Sequence, residues 1–122
     1  MNTSVELAKI PVSCTRTIEF VSPEDIIRIE GMQNYSKVYV RGGREILSNN
    51  NIGFFKSNLL RYNFLICHKS HVINPNFIIR YYKEGYIEME DGEKVPLARR
   101  RKKEFVDIVL QKHNVATDNL IV

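Results

Sequence analysis

YSKVYVRGGREILS, residues 35–48, sets two alternating runs on either side of a glycine pair, and its reading decides that this chain is built from antiparallel strands. Successive side chains of a strand point to opposite faces, so Val38 and Val40 share one face while Tyr39 and Arg41 share the other. Gly42-Gly43 reads as a two-residue hairpin turn, because both central positions of such turns favour positive φ. REILS then returns as the partner strand.

Toward the N-terminus, RTIEFV and DIIRIEG predict two further strands divided at Ser22-Pro23-Glu24. Toward the C-terminus the alternation breaks: Ile52, Phe54, Phe55, Leu59 and Leu60 recur at helical spacing behind Asn49-Asn50-Asn51, a run able to cap a helix. FLICH follows as an apolar strand, then a polar loop running to Asn74, with Pro75 marking the turn into NFIIRYYKEG. YIEME and KVPLA are joined around Asp91-Gly92, a second hairpin signal. Finally EFVDIVLQKH places Phe105, Ile108, Val109 and Lys112 on one face, which predicts a terminal amphipathic helix. The fold class is mainly β: an antiparallel sheet domain with one short internal helix and a C-terminal helix.

A chain of 122 residues supports one ordinary core. The expected organisation is an N-terminal extension over 1–15, a single domain over 16–113 and a tail over 114–122. Hydrophobic content of 43% with 26% charged residues is globular rather than disordered. No leader pattern opens the chain, and no segment offers the roughly 18 apolar residues of a membrane span, so the expectation is a cytoplasmic protein with no membrane partner. Cys14 and Cys67 read as reduced thiols, since so aliphatic a chain needs no disulfide frame.

The net charge of +4 is local rather than general. Between Lys94 and Lys103 lie six of the 18 basic residues and no acid, which leaves 12 basic against 14 acidic residues elsewhere. The run Arg99-Arg100-Arg101-Lys102-Lys103 falls where the last strand gives way to the last helix. Cations in a first helical turn oppose the macrodipole, each by about 0.3 to 1 kcal/mol when exposed. A purely structural helix start would carry acids there; a phosphate backbone would relieve the repulsion.

Two other polar segments interrupt apolar strands. Gly31-Met32-Gln33-Asn34-Tyr35-Ser36-Lys37 carries the amide side chains that pair adenine bidentately. In ICHKSHVIN, residues 66–74, His68, Lys69 and Ser70 can all donate to phosphate or base edges. Read alone, each is a connecting turn that satisfies its own backbone. Three such loops between hydrophobic strands suggest one binding edge, with nucleic acid as the partner.

Two rival chemistries are visible in the same stretch. His68 and His71 have H-x-x-H spacing beside Cys67, but a tetrahedral zinc site needs further ligands, and Cys14, His113 and scattered carboxylates supply no paired spacing. Catalysis by Cys67 with His68 meets the objection that neighbours in an extended chain point apart. No enzyme, metal or cofactor is expected. Glu88, Glu90, Asp91 and Glu93 read as solvated turn residues. A single-stranded nucleic-acid binder stacking bases on Tyr35, Tyr39, Tyr81 or Tyr82 is the alternative function.

The order of pieces resembles the LytTR, or LytR/AlgR-type, DNA-binding domain of bacterial transcription regulators, from about Ile18 to Val109. DIIRIEGMQNYSKVYV looks like the family's strand, polar loop and Tyr-containing strand. FLICHKSHVINPNFI looks like its Phe-x-Arg-x-His-Arg-Ser-x-x-Val-Asn signature, and GEKVPLARRRKKEF like its closing strand and Ser-Arg step. The resemblance implies an elongated antiparallel β fold whose loops enter the major groove of double-stranded DNA, with a homodimer on two repeated half-sites. It places the base-contacting positions at Asn34, Tyr35 and Ser36, with Lys37 adjoining, at Lys69 beside His68, and at Arg99. His68, Ser70 and Asn74 match signature positions and are expected to shape the loop, Ser70 also reaching phosphate. Arg100 and Lys102 are added as phosphate contacts from charge and location. Ile66, Lys69 and Ala98 depart from the family's Arg, Arg and Ser, and a lysine cannot present arginine's planar fork to guanine. Response-regulator relatives also carry a receiver domain, for which this length leaves no room. The expectation is therefore a stand-alone regulator, or an excerpt whose receiver or sensor domain is separate.

Overall fold

The computed structural model describes residues 8–112. Its elements are β1 Ile10–Ser13, β2 Ile18–Val21, β3 Ile26–Met32, β4 Tyr35–Val40, β5 Arg44–Ser48, α1 Ile52–Leu59, β6 Leu65–His68, β7 His71–Ile73, β8 Ile78–Tyr82, β9 Tyr86–Met89, β10 Lys94–Pro96 and α2 Lys102–Lys112. The fold is mainly β, as the alternation in the sequence predicts. Among the described residues all strand pairings are antiparallel, in a two-stranded sheet β1-β2, a three-stranded sheet β10-β9-β8 and a five-stranded sheet β5-β4-β3-β7-β6.

The five-stranded sheet lies between two cores. On one face Ile26, Ile29, Val38, Val40, Ile46 and Val72 pack with Ile10 and Val12 of β1 and with Phe55 and Leu59 of α1. On the other, Ile27, Cys67 and Ile73 pack with Ile87, Met89 and Val95 of the three-stranded sheet and with Phe105 and Val106 of α2. β3 is therefore buried on both faces, which is why its sequence reads as a run of isoleucines around Arg28 instead of alternating strictly. A register shift between Ile26 and Arg28 adjusts which residue faces which core.

α1 is too short at eight residues to persist by backbone bonding alone. Asn51 caps it, its side chain accepting from the Phe54 N–H at 3.3 Å. Burial of Phe55 and Leu59 supplies the rest, at about 1.5 to 3 kcal/mol for each side chain. A 3-10 turn over Leu60–Tyr62 extends the helix and ends at Asn63, whose left-handed φ of 69° reverses the chain into β6.

Four expectations are corrected. The glycine hairpin has three loop residues, because Val40 pairs with Arg44 and Arg41 leaves the ladder. Its N–H bonds the Asp25 carbonyl at 2.9 Å and its guanidinium meets the Asp25 carboxylate at 3.0 Å. Residues 10–13, assigned above to an extension, form β1 and bury Ile10 and Val12 in the first core. The loop through Asn74 shrinks to Lys69-Ser70, since His71–Ile73 is strand β7, enclosed between β3 and β6. In α2 the buried stripe is Phe105 and Val106, flanked by Val109 and Leu110, while Ile108 is 38% exposed. The helix thus turns Phe105 and Val106 into the second core with Ile27, Ile87 and Leu97. The Lys112 side chain, His113 and the tail over 114–122 lie outside the described residues.

Gly31 shows how tightly α1 sits on the sheet. A Cβ there would stand 2.9 Å from the Ile52 Cβ, which is tied to the helix backbone and cannot swing away. Gly31→Ala should cost about 1 to 3 kcal/mol by overpacking, read as a lower urea midpoint. An unchanged midpoint would mean that α1 slides freely on β3.

Candidate nucleic-acid interface

Three hydrogen bonds gather the polar segments at one end of the five-stranded sheet. β3 and β4 turn at Gln33-Asn34, and β6 and β7 turn at Lys69-Ser70; the Gly31 N–H donates to the Ser70 carbonyl at 2.8 Å, so the two turns are neighbours. The Ala98 N–H donates to the Cys67 carbonyl at 2.8 Å, which moors the chain leaving β10 to the outer edge of β6. Arg99 therefore starts beside His68. From α1, Lys56 Nζ donates to the Lys69 carbonyl at 2.8 Å.

Each residue named from the sequence can now be located. Asn34 is exposed in its turn, behind Gln33 with φ 56°, and Tyr35 is 40% exposed. Lys37 is half-buried on β4. Lys69 projects from its tip, and His68 and Ser70 are half-buried beneath it, with His68 Nδ1 accepting from the Ser70 N–H at 3.1 Å. Arg99 and Arg100 are exposed and Lys102 is half-buried. Asn74 is buried: it donates to the Ile26 carbonyl at 3.0 Å and accepts from the Asn76 N–H at 3.0 Å, thereby fixing the end of β7.

Ser36 is corrected. It has 0% exposure, and its hydroxyl donates to the Asn50 carbonyl at 3.0 Å. The strand period carries it to the same face as Val38 and Val40, a signal already present in YSKVYV. It supports the turn from inside the core and cannot touch a ligand there.

The charges are sorted by place. Arg41, Arg44 and Arg80 are paired with Asp25, Glu19 and Glu88, and Arg28 with Asp91. Among the described residues, no carboxylate lies within 4.0 Å of Lys37, Lys56, Lys69, Arg99, Arg100, Lys102 or Lys103. Arg101 is intermediate, 3.9 Å from Glu104, with its buried Nε unpartnered. Unneutralised cations beside an exposed asparagine and tyrosine make a surface suited to a polyanion.

The residues of the rival readings are placed as follows. Cys67 is 1% exposed, and burial pushes its thiol up to about 12, so the nucleophilic thiolate is suppressed. Among the described residues, no group of three or more His, Cys, Asp or Glu side chains is placed to hold a metal ion. Three stacking candidates are engaged elsewhere. Tyr39 lies under the Arg28 guanidinium at 3.7 Å, Tyr81 packs on Phe105 at 5.4 Å, and Tyr82 donates to Glu88 at 2.8 Å with Lys94 over its ring. Tyr35 alone of those four is exposed.

His71, below the tip, is half-buried with Nδ1 unpartnered. Burial lowers its pKa below the ordinary 6.5; Glu30 opposes that shift, whereas His68 and Arg28 add to it. The native state therefore binds this proton less readily than the unfolded chain. Its contribution to stability is complete above about pH 6.5 and is lost as pH falls through the depressed native value. Urea midpoints measured from pH 7 down to pH 5 should fall more for the wild type than for His71→Gln; parallel curves would show His71 to be freely hydrated.

Sequence reasoning missed two residues. Lys56 carried no signal beyond its place in a helix. Arg28 sits in an isoleucine run, yet its side chain is 4% exposed and its Nε meets Asp91 Oδ2 at 2.7 Å, so Asp91, in an exposed turn, is also the counter-ion of a buried arginine. The Arg28 guanidinium also lies 3.9 Å from Glu30, to which Tyr39 Oη donates at 3.2 Å. This group joins the β9–β10 turn to the sheet that carries the tip.

Comparison with known proteins agrees with this architecture. A search of curated proteins finds no match. Among solved structures, the LytTr DNA-binding domain of a Bacillus cereus protein superposes with a TM-score of 0.70 at 19% identity, covering 84% of this chain and 96% of that one. The family model for the LytTr DNA-binding domain matches residues 16–109, a span that holds both turns, the Ala98 mooring and the basic run. The chain belongs to the LytTr DNA-binding domain family.

Proposed function

We propose that this domain binds double-stranded DNA sequence-specifically, as the DNA-reading part of a bacterial transcription regulator. The observation that carries the proposal is the gathering of Asn34, Lys69 and Arg99, with cations lacking carboxylate partners, at one sheet end. The Lys69-Ser70 tip and the Gln33-Asn34 turn enter the major groove. Asn34, Lys69 and Arg99 read base edges, and Tyr35 packs against the sugar-phosphate wall. Lys37, Ser70, Arg100 and Lys102 contact phosphates, while His68 holds the tip's shape. Two protomers occupy repeated half-sites, and a receiver or sensor domain, on another chain or another segment, supplies the signal. The domain works in the cytoplasm without catalysis.

Selection of duplexes from a random pool at near-physiological salt tests this. The expected result is enrichment of a repeated motif with half-sites about one helical turn apart, bound more tightly as duplex than as either strand. Tighter binding to the single strand, or no enriched motif, would sink the proposal.

A further inference from the structure

The Lys69-Ser70 tip is a two-residue turn whose backbone is held from three directions. The Ser70 N–H donates to His68 Nδ1, the Ser70 carbonyl accepts from the Gly31 N–H, and the Lys69 carbonyl accepts from Lys56 Nζ. The first two come from the strands that the tip joins or adjoins. The third comes from a different element, 13 residues earlier in the chain, through a charged donor stronger than an amide. The peptide between Lys69 and Ser70 is therefore held at its N–H by His68 and at its carbonyl by α1.

α1 is a firm anchor for that bond. Its first turn is in close contact with Gly31 through Ile52, and its Phe55 and Leu59 are fully buried in the first core. An ammonium has three donors, and the Lys69 carbonyl takes one. The other two remain on an ammonium at the exposed surface, with no carboxylate within 4.0 Å among the described residues. Lys56 thus places its ammonium at the backbone of the residue whose own side chain is exposed at the tip.

We propose that Lys56 is both the positioning residue for the tip and a phosphate contact of its own: it orients Lys69 through the 2.8 Å bond and takes the phosphate flanking the base step that Lys69 reads. This rests on the DNA-binding reading above and adds α1 to the interface, an element that no loop of the sequence nominated.

The test compares the wild type with Lys56→Met, which keeps the stem and removes every donor, and with Lys56→Arg, which keeps charge and donors. Three readings are taken: the salt slope of log K for the selected duplex, the ratio of specific to non-specific affinity, and amide exchange at Ser70 and Gly31 in the free protein. For Lys56→Met the slope should fall by about 0.9. The ratio should fall on the order of tenfold, the worth of one well-aimed base contact. Exchange at both amides should quicken, and Lys56→Arg should restore all three. A lower slope with unchanged exchange would overturn the positioning role, and faster exchange with an unchanged slope would overturn the phosphate contact. Failure of the wild type to prefer duplex would overturn the DNA reading itself and the phosphate contact with it, while exchange in the free protein would still decide the positioning role.

Discussion

Asp91→Ala should destabilise the domain by about 3 kcal/mol, although Asp91 sits in a surface turn. The reason is the partner it leaves behind. The Arg28 side chain is 4% exposed, and without Asp91 its charge faces only Glu30 at 3.9 Å and the Tyr39 ring at 3.7 Å. A buried cation stripped of its counter-ion pays desolvation with little return; the figure stays at the low end of the usual range because Glu30 remains. Arg28→Met should cost much less, since the Asp91 side chain is 18% exposed and can turn to water once the cation is gone. Urea unfolding of the two single variants and the double variant checks this: the double should recover most of what Asp91→Ala loses. Equal losses from both singles would mean that the pair acts through packing and not through charge.

Arg99→Ala should cost about 1 to 3 kcal/mol of specific binding and relax preference at one base pair. Arg99 is the first residue after Ala98, whose N–H is fixed to the Cys67 carbonyl, so its Cα stands at a defined place beside the tip. Its guanidinium is exposed with no carboxylate within 4.0 Å among the described residues, free to present its fork to guanine. Arg100→Ala is the contrast. Its effect should spread evenly over sequences and lower the salt slope by about 0.9. Repeating the selection with each variant separates the two roles. An unchanged base preference with Arg99→Ala would remove that residue from readout and leave specificity to Asn34 and Lys69.

The Asp91 prediction also marks where the sequence stops being legible. Glu88, Glu90, Asp91 and Glu93 look alike in one dimension, four acids around a glycine turn. One of them reaches across to β3 because Ile87, Met89 and Val95 of the three-stranded sheet pack on Ile27 and Ile73 of the five-stranded one. Nothing within the hairpin encodes that distance. Lys56 is the same case on the other side of the sheet, an ordinary helix lysine until β7 brings the Lys69 carbonyl to it.

What the sequence determined by itself is whatever a window of about ten residues can hold. The alternation in YSKVYV and REILS, the glycines at 42 and 43, the Asn51 cap and the Asp91-Gly92 turn fixed strands, hairpins and α1, because side-chain period and backbone φ are local properties. The same windows placed the polar residues between apolar strands, and the signature around His68 indicated the family. Tertiary structure alone decided which faces are covered. It turned His71–Ile73 into an interior strand, gave β1 a place in the core, rotated α2 away from Ile108, buried Ser36 and Arg28, and brought the β3–β4 turn, the β6–β7 turn and the start of the basic run to one end of the sheet. Pairings such as Gly31 with Ser70 and Cys67 with Ala98 join residues more than 30 positions apart. Burial depends on what arrives from such distances, and a local pattern records the strand without recording its neighbour.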